Sequence, residues 1–98
     1  MKYSKELIAR SNEIIQQVKA AEKLKQPIEH LVREQIAIME CQRDEFVKRA
    51  GELGLDGLGR ARIEIQIYSN IKFWAKKIGL PVEKYDNIIK QIRNQFLD

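Results

Sequence analysis

Apolar residues recur along this chain at alternating steps of three and four, and that rhythm marks out helices. From about Ser4 to Lys25, the positions Leu7, Ser11, Ile14, Val18 and Ala21 form one stripe, flanked by Ile8 and Ile15. This is the near-heptad spacing of a helix that packs lengthwise on another. Ser4 is placed to cap it, because its hydroxyl can accept from a free amide of the first turn. Pro27 ends the segment and suits the opening turn of the next, where its missing N–H costs nothing.

A second stripe runs from about Ile28 to Leu53. Ile28, Val32, Ile36, Met39, Phe46, Ala50 and Leu53 lie on one side, with Leu31, Ile38 and Val47 widening it. Gly54 follows and fits a left-handed C-cap. At about 1.5 Å per residue this helix spans nearly 40 Å, which is long for so small a domain. Part of its apolar face is therefore expected to meet another chain, at Ile28, Val32, Ile36 and Met39.

After the Asp56-Gly57-Leu58-Gly59 turn the pattern is mixed. Ile63, Ile65 and Ile67 alternate as in a strand, whereas Ile63, Ile67, Ile71, Trp74 and Ile78 recur as in a helix. The helical set continues much further and predicts a helix to about Ile78, capped by Gly79 and turned at Leu80-Pro81. Val82, Tyr85, Ile89, Ile92 and Phe96, with Ile88 beside them, form a fourth stripe. Trp74 shares its stripe with Ile67, Ile71 and Ile78, so it reads as a core anchor, with Phe73 widening the same apolar surface.

No pair of strands with a hairpin turn is present. The expected fold is all-α: two long antiparallel helices followed by a shorter helical pair. The 98 residues form one domain, divided into a hairpin over 1–56 and a pair over 57–98. A 44% hydrophobic and 33% charged composition suits amphipathic helices with wide solvated faces.

Candidate chemistry is sparse. Cys41 and His30 are the sole Cys and His, too few for a disulfide or a zinc site. The acids Glu40, Asp44, Glu45 and Glu52 are interleaved with Arg43, Lys48 and Arg49, the pattern of a solvated face laced with weak ion pairs. Gly57-Leu58-Gly59 lacks the preceding strand and following Lys-Ser/Thr of a phosphate loop. The sequence therefore points to a non-enzymatic protein with no catalytic residue, metal or cofactor. No signal peptide or apolar span is evident, so a cytoplasmic location, that of a bacterial host, is expected, with no membrane partner.

Charge changes this picture. Residues 1–56 carry ten Lys/Arg and ten Asp/Glu, whereas 57–98 carry eight and four, which supplies the whole net charge of +4. A basic half can attract nucleic acid or an acidic protein face. The residues expected to make such contacts are Arg60, Arg62, Lys72, Lys76 and Lys77. Around Trp74–Leu80 the pattern also resembles the centre of a helix-turn-helix, with Ala75 four residues before Gly79. The reading helix would then open with Glu83 and Asp86, carboxylates that repel phosphates.

One stretch is more specific. From Pro27 to Ile63 the chain reads P-I-E-H-L-V-R-E, an amphipathic helix, and then E-L-G-L-D-G-L-G-R-A-R-I. This resembles the C-terminal region of P27-type phage small terminase subunits, in which a helix ends in "ELGL" and a turn leads to "S-R-A-R-[IL]". The matching positions are Glu52, Leu53, Gly54 and Leu55, then Arg60, Ala61, Arg62 and Ile63. Ala20 to Leu24 resembles the end of that family's preceding helix. The family's Pro-Ser turn is replaced here by Gly57-Leu58-Gly59, and about 35 residues follow Ile63 where the family often ends. The resemblance implies a non-enzymatic DNA-packaging protein that assembles through its helices and engages DNA and the large terminase. The departures favour one alternative, an adaptor of a satellite or mobile element that binds a phage small terminase and redirects packaging. Two further alternatives are a helix-turn-helix regulator and a structural helical module with no nucleic-acid role.

Overall fold

The computed structural model describes residues 5–55 and 57–96. Ser4, expected to cap the first helix, and Asp56 lie outside the described residues. The fold is all-α, with α1 (Lys5–Lys23), α2 (Glu29–Leu53), α3 (Gly57–Lys77) and α4 (Glu83–Phe96), and no strand occurs among the described residues.

Each helix packs on the next in chain order, and α2 and α3, like α3 and α4, run antiparallel. Arg10 of α1 meets Glu34 of α2, Arg43 of α2 meets Tyr68 of α3, and Lys72 of α3 meets Asp86 of α4. Side chains of α1 also reach α3, where Lys77 Nζ lies 3.2 Å from Glu22 Oε2. The result is a flat bundle, 45 × 30 × 14 Å.

The three helix ends share one device. Gly54 (φ 66°) and Gly79 (φ 72°) sit in the left-handed region, and Lys25 (φ 56°) does the same after α1. In each case the following amide folds back on a carbonyl five residues earlier: Gln26 on Ala21, Leu55 on Ala50, Leu80 on Ala75. These bonds satisfy carbonyls that would otherwise lack partners. Lys25 carries a Cβ into a conformation that glycine adopts more cheaply.

Ile14, Val18, Val32, Ile36, Ile71 and Trp74 anchor a core that all four helices share, with Tyr85 reaching in from α4. Burying an aliphatic side chain of this size contributes about 1.5–3 kcal/mol. The core is uneven along α2: Leu31, Val32, Gln35, Ile36 and Ile38 are buried, but beyond Ile38 Ala50 alone is.

Several expectations are corrected. Leu53, at the open end of α2, is 71% exposed, and Ile63 is exposed as well. The buried stripe of α3 runs through Ala61, Tyr68, Ile71, Trp74 and Ala75. Steps of four drift by roughly 40° each around a helix, so Ile63 has rotated well away from the face that Ala75 occupies. α3 also begins at Gly57, within the stretch expected as a turn. A Cβ on Gly57 would lie 2.6 Å from the Phe96 ring, so the bare glycine lets the end of α4 lie across the start of α3.

Candidate interface on the third and fourth helices

Trp74 and Phe73 are neighbours with opposite fates. Trp74 faces the core at 8% exposure, as its stripe predicts, while Phe73 is 58% exposed. The expectation that Phe73 extends the buried surface fails, because the buried face of α3 centres on Ile71 and Ala75, and at about 100° per residue Phe73 points to the opposite side. The two rings meet edge to face with centroids 6.0 Å apart, so the core indole supports the exposed phenyl. Lys77 Nζ lies 5.1 Å from the Phe73 centroid and 5.7 Å from that of Trp74.

The five basic residues expected at a contact site do not form one cluster. Arg60 is engaged by Glu64 at 2.7 Å, one turn along α3. Lys72 reaches Asp86 of α4 at 2.6 Å, on one flank of α3. Lys77 reaches Glu22 of α1, on the other flank. Arg62 and Lys76 are exposed, with no ion-pair partner among the described residues. Fourteen residues separate them, roughly 21 Å along the helix. Between them the outward face of α3 presents Gln66, Ser69, Asn70 and Phe73, all exposed and none acidic.

What the structure does bring together is a groove between α3 and α4. Ser69, Lys72, Phe73 and Lys76 line one wall, and Asp86, Ile89 and Arg93 line the other, enclosing about 370 Å³. Three cations face one carboxylate there. Arg93 was missed from the sequence, although its spacing of seven from Asp86 places both on one flank of an amphipathic helix. α4 runs back alongside α3 for its whole length: Asp86 meets Lys72, and Phe96 lies over Gly57. This antiparallel hairpin differs from the steeply crossed pair of a helix-turn-helix.

The residues expected at an oligomer or partner interface are placed in the chain's own core. Val32 and Ile36 are buried, and Ile28 and Met39 are partly buried against the same cluster. The length of α2 is real, but its uncovered part lies at the opposite end. Leu53, Leu55 and Leu58 are exposed around the α2–α3 turn, beside Phe96.

Elsewhere the titratable groups form surface pairs. Arg10 holds Glu34 through two bonds of 2.7 Å and Glu13 through one of 2.8 Å. The hydrogen bonds from Arg10 lower the Glu34 carboxyl below its ordinary range, and those carboxylates raise the Arg10 guanidinium. Burial pushes Arg43 down, but the bond to Asp44 and the proximity of Tyr68 outweigh it. Cys41 and His30 are exposed on α2. Among the described residues no three His, Cys, Asp or Glu are placed to hold a metal ion, and no helix is long and apolar enough to cross a membrane. Comparison with known families, with characterised proteins and with solved structures finds no match.

Proposed function

We propose that this chain is a non-enzymatic DNA-packaging protein of the small-terminase kind. It contacts nucleic acid through the outward face of α3 and the adjoining groove, and meets a second protein chain at the α2–α3 turn. The observation that carries the reading is the groove itself, where Lys72, Lys76 and Arg93 converge against Asp86 alone. Such a surface suits phosphate oxygens, which any sequence supplies and which fix position without specifying bases. The resemblance from Glu52 to Ile63 suggests the packaging context, and Arg62, about four turns before Lys76, lies on the same exposed side of α3.

A second reading, an adaptor that binds a phage small terminase, is favoured by the exposed leucines. Leu53 and Leu55 belong to the motif shared with that family, and they are open to a partner. A related chain or a second copy would find there an apolar end ringed by charged residues.

Binding of DNA to the full chain, followed from low to moderate salt, tests the first reading. Affinity should fall steeply with salt, and Lys76→Glu with Arg93→Glu should abolish binding without changing the melting temperature. Absence of any salt-sensitive binding would sink the nucleic-acid role. Sedimentation of wild type beside Leu53→Asp with Leu58→Asp tests the apolar end. A wild type that stays strictly monomeric, alone and with a small terminase subunit, would remove it.

A further inference from the structure

We infer that the α3–α4 groove takes a single-stranded polynucleotide, with one base stacking on Phe73 while Lys76 and Arg93 neutralise the flanking phosphates. This rests on the reading of α3 as a polyanion-binding face and names the form of nucleic acid. An exposed aromatic beside a cationic groove is the arrangement that binds unpaired bases, since every base offers a π-face. Phe73 is the one aromatic side chain in this wall, 58% exposed, and it is held by Trp74 and by Lys77 Nζ 5.1 Å from its centroid. A ring already held in place loses little freedom when a base stacks on it. Lys76 lies one turn beyond it, and Arg93 faces both across the groove.

Two other polyanions fit less well. Duplex DNA keeps its base faces covered by their neighbours, so Phe73 would gain nothing from it. An acidic amphipathic helix needs apolar anchors at successive turns, whereas Ile89 is half-buried and Phe73 stands alone. Asp86 already engages Lys72 at 2.6 Å, which holds that lysine back from a phosphate. Asp86→Asn therefore releases a third cation.

Fluorescence anisotropy of the full chain with labelled single-stranded DNA and RNA oligonucleotides, and with a duplex of the same length, tests this. Both single strands, or one of them, should bind more tightly than the duplex at equal salt. Phe73→Ala should weaken single-strand binding about tenfold or more and weaken duplex binding much less. Phe73→Trp should retain affinity, and Asp86→Asn should increase it severalfold. Phe73 is exposed, so its variants should melt with wild type, and circular dichroism confirms that they do. Equal binding of strand and duplex, with Phe73→Ala unchanged, overturns the stacking and leaves the phosphate-binding face intact. Failure of the wild type to bind any polyanion at low salt overturns both.

Discussion

The Ser11 hydroxyl donates to the side-chain oxygen of Gln35 at 3.0 Å, across the interface of α1 and α2. Gln35 is fully buried, and its Nε2 has no acceptor among the described residues. A buried donor without a partner costs about 1–3 kcal/mol, so Gln35 does not earn its place through stability. Polar residues at such helix-packing positions instead fix which residues face each other.

Gln35→Leu should therefore leave the protein as stable as wild type, or more so. Ser11→Ala should destabilise it by about 1–3 kcal/mol, because both polar atoms of Gln35 are then unsatisfied. Urea unfolding of both variants measures this. A large loss in Gln35→Leu would show that the amide finds a partner in solution.

Lys25 closes α1 with φ 56°, where the later helices use glycine. Lys25→Gly should relieve the strain on the Cβ and stabilise the protein, by up to about 1 kcal/mol. The side chain is exposed, so little packing is lost in exchange. Thermal melting should show a modest rise, and a fall would mean that the unfolded-state entropy of glycine dominates.

Glu34 gives the stability a definite acid dependence. Its carboxyl is held below the ordinary 4.5 in the folded protein, chiefly by the bonds from Arg10. The contribution is present above that ordinary value and is lost as pH falls through the lowered one. Glu34→Gln should remove this contribution, leaving the variant less stable than wild type at neutral pH and the two converging as pH falls through the lowered value, as unfolding midpoints across that range would reveal. Identical pH profiles would mean that solvent screens the pair completely.

The helices and most of the core could be read from the sequence because packing follows the helical period. Ile14, Val18, Val32, Ile71 and Trp74 all lie on the stripes that the spacing defines. Trp74→Ala is accordingly expected to cost about 3–5 kcal/mol, and native Trp74 should emit in the blue and resist iodide quenching. Periodicity does not say how far a neighbouring helix extends, and so it misplaced Leu53 and the uncovered end of α2. It is equally silent on long-range pairing. Lys72, Lys77 and Arg60 look alike in sequence to Arg62 and Lys76, yet carboxylates from α4, α1 and α3 itself engage the first three.

That division makes Arg60 and Arg62 separable by experiment. Arg60 is paired to Glu64 four residues on, whereas Arg62 projects from the exposed side of α3 without a partner among the described residues. Arg60→Glu places two carboxylates one turn apart and should cost a few tenths of a kcal/mol in stability, with little effect on nucleic-acid binding. Arg62→Glu should leave stability unchanged and weaken binding to all sequences about equally, because phosphate contacts carry no base information. The slope of log affinity against log salt should become shallower by about 0.7–0.9, the contribution of one phosphate contact. A titration of both variants against the same oligonucleotide at several salt concentrations separates these outcomes. If Arg60→Glu weakens binding as much as Arg62→Glu does, the Glu64 pair opens on binding and the motif acts as a unit. If neither variant changes the slope, phosphate contact is confined to the α3–α4 groove, and the outward face beyond it is merely solvated.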